Sequence, residues 1–310
     1  MKSDEHDLGT LIMGMRDAYM RGENAMAWAR NNSNREGKNE IVSTLVAYDL
    51  QAGSYVADAR ANPNFRSKWC AQLAGLIRPY VEPGDRVLEV GVGEATTLAG
   101  VIKAINQPEL AALGFDVSWS RIKVGQDWVK ENSINARLFV GDLFHIPLAD
   151  NSIDVIYTSH SLEPNGGKES EAIAELFRVA RKAVVLVEPL YELATEQAQN
   201  RMRAHGYVMG LKEVAEKMDA SIVEYGLLEV CGNPLNPSGV VLMQKPNPVA
   251  RIDLSAGGWQ CPLTGMQLVD QGDIFYAEQV GLAYPVMRGI PLLRGQHGVV
   301  ASKVEDGNPA

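Results

Sequence analysis

Val87-Leu88-Glu89-Val90-Gly91-Val92-Gly93-Glu94-Ala95 carries an apolar run directly into a glycine-rich turn, and the residues from Ala95 to Ile105 read as a helix. Valine and leucine crowd positions 86–90, the composition of a strand buried on both faces beneath covering helices. Glycine at 91 and 93 tolerates left-handed backbone and, having no Cβ, lets a ligand lie close to the chain. A strand, a glycine turn and a helix in this order open a nucleotide-binding α/β unit. The dinucleotide fingerprint is incomplete, because Thr96 holds its third glycine position, and this argues against NAD.

The alternation continues outward from this point. Strands are predicted at 111–116, 136–140, 152–159 and 183–187, with helices at 120–132 and 168–181 between them. A helix over 208–219 and strands over 221–230 and 240–243 complete the series. The expected fold is α/β: a Rossmann-like, doubly wound, mostly parallel seven-stranded sheet with N-terminal helices and a small C-terminal β-rich domain. Upstream, apolar spacing predicts helices over 8–31, 40–60 and 65–80, with a polar loop at 31–39. The domains read as an N-terminal helical cap (1–62), the sheet domain (63–247), a small unit (258–296) and a flexible tail (297–310). Pro246, Pro248, Gly257 and Gly258 mark the linker.

Composition narrows the function. With 46% hydrophobic residues the chain can bury a sizeable core, and its formal net charge is -9. No basic cluster exceeds pairs such as Arg181-Lys182, which speaks against a nucleic-acid partner and suits a small-molecule or sugar acceptor. The longest apolar runs fall short of about 18 residues, so no membrane span is expected. The acidic start lacks an apolar signal core, and a cytoplasmic protein is expected. Cys70, Cys231 and Cys261 form no CxxC pair, so neither a disulfide framework nor a bound metal is expected.

Three acidic positions accompany the glycine turn. Glu89 precedes it, Asp116 ends the next strand before Val117, and Asp142 follows the third strand in Gly141-Asp142-Leu143. An acid at the end of the second strand bonds ribose hydroxyls in nucleotide-binding folds of this kind, although Asp116 can also be read as a turn acid. Together these residues resemble class I S-adenosylmethionine-dependent methyltransferases over roughly residues 48–245. Ala95 stands where that family has its last glycine. The resemblance implies S-adenosylmethionine as cofactor, with Glu89 ordering its methionine end, Gly91 and Gly93 beneath it, Asp116 on the ribose, and Asp142 and Leu143 framing the adenine. It also implies a pre-core helix covering the cofactor, on which Tyr48, Gln51 and Tyr55 are expected to share one face.

Methyl transfer from a sulfonium asks the protein chiefly for binding, alignment and desolvation. An alcohol acceptor also profits from a base. The segment Ser159-His160-Ser161-Leu162-Glu163, after the fourth strand, supplies His160 as candidate base and Glu163 to orient it; a structural or cofactor-contacting histidine is the alternative. This pair favours O-methylation of a small molecule, sugar or glycan precursor, or specialised metabolite. Glu188, Tyr191 and Glu192 are further acceptor-side candidates, and 190–207, with Arg201, Arg203 and His205, reads either as a lid that pairs with an acidic acceptor or as a solvated helix face.

The C-terminal stretch from Trp259-Gln260-Cys261-Pro262 to Ile290-Pro291-Leu292-Leu293 resembles the small zinc-ribbon-like proteins related to the activator subunit of tRNA methyltransferases. Thr264 replaces the second cysteine of the first knuckle, and Tyr276 stands near another ligand position. Four ligands are needed for structural zinc, so a metal-free unit is expected. It would stabilise the catalytic domain, form a homodimer contact or shape the acceptor site. Rival readings are an RNA (tRNA or rRNA) methyltransferase, a non-catalytic cofactor-binding partner of another methyltransferase, and another reaction of the same cofactor such as aminopropyl transfer.

Overall fold

A computed structural model describes residues 2–32, 41–246 and 248–304. Most of the polar loop read at 31–39 and the end of the tail, 305–310, lie outside the described residues. The N-terminal part consists of α1 (Lys2–Met20), α2 (Ala25–Asn32), α3 (Ile41–Leu50), α4 (Ser54–Ala61) and α5 (Pro63–Ile77). The helices expected over 8–31 and 40–60 are thus each broken in two. Gly22 and Gly53, at φ 78° and 102°, make the breaks in left-handed backbone that glycine adopts without strain.

The sheet domain follows the order β1 (Arg86–Val90), α6 (Thr96–Ile105), β2 (Ala111–Asp116), α7 (Trp119–Glu131), β3 (Ala136–Val140), β4 (Ile153–Ser159), α8 (Glu169–Val179) and β5 (Ala180–Pro189). After it come α9 (Glu196–His205), α10 (Leu211–Ala215), β6 (Ser221–Leu227) and β7 (Ser238–Gln244). Among the described residues the sheet has seven strands in the order β3-β2-β1-β4-β5-β7-β6, all parallel except β7, which runs antiparallel to both its neighbours. This is the Rossmann-like sheet expected from the sequence. Alternation along β1 sends Val87 into an apolar layer with α5 and α6, and Leu88 and Val90 into the opposite layer with α8. The expected helix over 208–219 is only the short α10.

The C-terminal part forms β8 (Val269–Asp270), β9 (Ile274–Ala277), β10 (Leu282–Met287), β11 (Ile290–Pro291) and β12 (Val299–Val300). Val299 and Val300, placed in the tail by sequence reading, instead pair with Ala283 and Leu282 of β10. The unit covers the β3 edge of the sheet, where an open strand would otherwise expose unpaired backbone. The Leu293 amide donates to the Val140 carbonyl at 2.8 Å. Trp259, buried, meets Phe139 of β3 edge-on at 5.2 Å and Phe275 of β9 at 5.3 Å, so unit and sheet share one core. No helix among the described residues is long and apolar enough to cross a membrane.

Candidate cofactor and acceptor site

The parallel strands end together on one side of the sheet, where a doubly wound fold opens its crevice. A cavity of about 420 Å³ lies there, within the range of ligand sites. Gly91 lines it at φ 69°, and a Cβ at that position would stand 2.3 Å from the Ser161 Cβ. Gly93, at φ 52°, donates its amide to Asp116 Oδ2 at 3.1 Å and stands beside the cavity rather than in its wall. Ala95 takes φ 55° at the start of α6, so the family's glycine position keeps its left-handed backbone with a methyl group added.

The three expected acids all reach the cavity wall. Glu89 is buried, accepts the Tyr157 hydroxyl at 2.8 Å, and has its carboxyl pushed up to about 8 by burial. Asp116, also buried, accepts the amides of Gly93 and Ser118 (2.9 Å); burial raises its pKa and these bonds oppose the rise. Asp142 accepts the Phe144 amide at 3.0 Å, and Val117, Leu143 and Ser159 join it in the wall.

Tyr48 and Tyr55 line the cavity from α3 and α4, but not as one helix face, because the chain breaks at Gly53 between them. Gln51, expected with them, is exposed and outside the wall. What joins the two tyrosines is Arg121 at the start of α7, whose guanidinium lies 4.5 Å from each ring centroid and donates from Nε to the Tyr48 carbonyl. Glu94 fixes the turn above, accepting the amides of Gly53 and Val56 at 2.8 Å each. Neither residue was singled out from the sequence, although an acid directly after the glycine turn, at Glu94, stood in the motif.

The other half of the cavity is built from α5 and two loops. His160 follows β4 at φ 57°, uncommon for a non-glycine residue. Its Nδ1 lies 2.8 Å from Glu163 Oε2 and its Nε2 2.7 Å from Ser238 Oγ. Asn236 donates to the same Glu163 oxygen at 3.0 Å. Burial works against a charged His160 ring, yet the bond and charge of Glu163 outweigh it and the pKa is raised. Phe65, Arg66 and Trp69 of α5 face this group across the cavity.

The further acceptor-side candidates Glu188, Tyr191 and Glu192 are engaged in structural hydrogen bonds. Glu188 is fully buried and accepts the amides of Ser161, Leu162 and Glu163, which fixes the loop carrying His160. Burial pushes its carboxyl up to about 7. Glu192 accepts the Gly210 amide, and Arg203 is engaged by Tyr191 and Asn200. No residue of 190–207 lines the cavity. The arginines that do so are Arg121 of α7 and Arg66 of α5, the latter paired with Asp58 at 2.9 Å.

The residues fit a polar, partly cationic ligand. Arg66 Nε, Arg121 Nη2, Ser161 Oγ and Asn236 Oδ1 are buried without a hydrogen-bond partner among the described residues, and all four side chains belong to the cavity wall. Buried polar atoms of this kind are rarely left unsatisfied without a functional reason. With Glu89, Asp116 and Asp142 they offer acceptors and donors on both sides of the glycine turn.

A family model described as a methyltransferase domain matches residues 87–183, from β1 into β5. The chain is 31% identical over 115 residues to demethylmenaquinone methyltransferase of Listeria monocytogenes, covering 37% of this chain and 47% of that protein. It is 33% identical over 99 residues to a ubiquinone/menaquinone biosynthesis C-methyltransferase of Dinoroseobacter shibae, covering 31% and 38%. The chain therefore spans about half or less of the length of these relatives. A solved chain from the Haloferax volcanii complex between the Trm112 methyltransferase activator and a methyltransferase superposes with a TM-score of 0.50 at 12% identity, covering 64% of this chain and 98% of that one, a likeness of fold. Residues 87–183 thus match a methyltransferase domain.

Proposed function

We propose that the whole chain methylates a small hydroxylated acceptor from S-adenosylmethionine, with the His160–Glu163 pair as base and oxygen as the methylated atom. The observation that carries this is the placement of His160 between Glu163 and Ser238 in the wall of the same cavity as Glu89 and Asp116. When bound, the cofactor supplies an electrophilic methyl group. In that reading Asp116 would accept from the ribose hydroxyls, Asp142 and Leu143 would flank the adenine, and Glu89 would face the methionine end. Tyr48 and Tyr55, clamped by Arg121, cover the site and exclude water.

A neutral His160 with its proton on Nδ1, toward Glu163, keeps the Nε2 lone pair for the Ser238 hydroxyl or for an acceptor hydroxyl in its place. Taking that proton leaves an oxygen nucleophile against the walls of Phe65 and Trp69. The relatives' names favour a second reading, C-methylation of a quinone-type ring in its quinol form. There the same deprotonation would enrich a ring carbon instead of leaving the charge on oxygen.

The test is full-length protein with methyl-labelled S-adenosylmethionine and a panel of quinols, catechols and hexoses, with products read by NMR. The proposal expects an O-methyl product, and His160→Gln lowering kcat about 10²-fold with cofactor affinity unchanged. A C-methyl product supports the second reading. Transfer indifferent to His160→Gln overturns the assignment of the base.

A further inference from the structure

Arg66 stands on the first turns of α5 and lines the cavity together with Phe65 before it and Trp69 one turn after it. Those two neighbours fix where this face of α5 lies. The Trp69 ring centroid is 6.0 Å from that of His160. Phe65 Cζ would stand 3.2 Å from a Cβ on Gly232, in the approach to β7. Arg66 is thus carried by the helix face that meets the His160 end of the cavity.

Two polar atoms at this end are left open. Arg66 gives Nη2 to Asp58 at 2.9 Å, and Asp58, its ion-pair partner among the described residues, is itself 48% exposed. Its Nε is buried with no hydrogen-bond partner among the described residues. Asn236 gives Nδ2 to Glu163 Oε2 at 3.0 Å, and its Oδ1 is buried and unpartnered in the same way. The first atom is a cationic donor that asks for an anion, and the second an acceptor that asks for a hydroxyl or similar donor. Among the described residues Arg66 and Arg121 are the two arginines of the wall, no lysine joins them, and the Arg121 guanidinium lies over the rings of Tyr48 and Tyr55. A single guanidinium already shared with Asp58 suits a carboxylate monoanion, whose oxygens match its planar donors. A phosphate dianion would call for more positive charge than this end supplies.

From this arrangement we infer that the acceptor is a hydroxylated carboxylic acid, whose carboxylate Arg66 binds through Nε while its hydroxyl groups face His160 and Asn236. The inference rests on the O-methylation reading of the cavity and names the substrate class for it. Phe65 and Trp69 give such an acid an apolar wall to lie against, and Arg66 fixes which end of it points away from the base.

The experiment uses the full chain, with a dihydroxybenzoate, its methyl ester and catechol as probes. Methyl transfer gives kcat/KM, calorimetry on protein saturated with S-adenosylhomocysteine gives Kd, and Tm is measured in parallel. The parent is expected to favour the acid over its ester about tenfold in both quantities. Arg66→Met should bring acid and ester within about threefold of each other, with the Kd for S-adenosylhomocysteine itself within about twofold of the parent. Arg66→Lys should keep part of the preference, and Asp58→Asn, which removes the competing carboxylate, should widen it. No preference for the acid in the parent overturns the inference, as does a preference that Arg66→Met retains. A Kd for S-adenosylhomocysteine weakened about tenfold by Arg66→Met also overturns it, since the guanidinium would then serve the carboxylate of the cofactor. Transfer to none of the three probes with cofactor binding intact counts against the proposed function, and the Kd comparison then decides the inference by itself. Should Arg66→Met not fold, a preference reduced in Arg66→Lys and widened in Asp58→Asn supports the inference, and a preference unmoved in both overturns it.

Discussion

Replacing Glu89 by Gln should make the protein more stable at alkaline pH while weakening its hold on the cofactor. Glu89 is 2% exposed, and its carboxyl, ordinarily near 4.5, is pushed up to about 8 because burial disfavours the charged form. Between those two values the native state keeps a proton that the unfolded chain has released, so stability falls as pH rises through the window. At about 1.36 kcal/mol per pH unit the interval is worth roughly 5 kcal/mol as an upper bound. A glutamine fills the same space, can accept the Tyr157 hydroxyl and has no proton to lose. Urea unfolding at pH 5 should find the two proteins within about 1 kcal/mol of each other. At pH 8.5 the variant should be the more stable by several kcal/mol, up to roughly 5. Glu188 and Asp116, whose pKa values burial also raises, are present in both proteins and cancel in the comparison. Parallel stability profiles for the two proteins from pH 5 to 8.5 would refute the reasoning, since Glu89 would then ionise without cost where it stands.

Three further outcomes follow from the same geometry. Methyl transfer should rise with pH through an inflection above the ordinary histidine value of about 6.5, because His160 must be neutral to act and Glu163 holds its proton. The stability contribution of that pair has the opposite sense: present below the unfolded value and lost as pH rises through the folded one. Glu163→Gln should move the rate inflection down, and a profile unchanged by that substitution would contradict the pairing. Gly91→Ala should lose at least tenfold in cofactor affinity, since its Cβ would sit 2.3 Å from that of Ser161 in left-handed backbone, and it should cost about 1–3 kcal/mol in urea unfolding. Asp154→Ala should cost about 3–5 kcal/mol yet leave cofactor affinity within twofold: its buried carboxylate binds the Arg86 amide, Arg181 and Arg251 at the opposite end of the strands. A large loss of affinity there would show that the strand ends communicate.

The sheet was legible because its strands are short apolar runs separated by amphipathic helices, and a parallel sheet buried on both faces leaves that mark. Glu89, Asp116 and Asp142 were legible for a related reason, since each sits at a fixed offset from a strand end and strand ends converge. Gln51 was misplaced because one continuous helix was assumed over 40–60, whereas α3 ends at Leu50 and the chain turns left-handed at Gly53, where Glu94 binds the amides that open a new helix. Arg66, Trp69, Arg121, Asn236 and Ser238 were not singled out. They come from α5, α7 and the approach to β7, and nothing local in a sequence says which exposed-looking arginine or serine a distant loop will bury. Arg201 and Arg203, read either as a lid or as a solvated helix face, lie on α9, which contributes nothing to the cavity wall. In the C-terminal part the β-branched pair Val299-Val300 was the overlooked strand signal, and only the pairing of Val140 with Leu292 and Leu293 reveals that this part closes the sheet edge.

The central claim is that the cavity above the glycine turn takes S-adenosylmethionine. Its most direct test is calorimetric titration of the full chain with S-adenosylmethionine and, separately, with NAD. Binding in the micromolar range, about -8 kcal/mol, to the first and not the second, abolished by Asp116→Ala in a protein that stays folded, is the predicted result. Folded protein that binds neither S-adenosylmethionine nor S-adenosylhomocysteine, or that binds equally well without Asp116, would contradict the account.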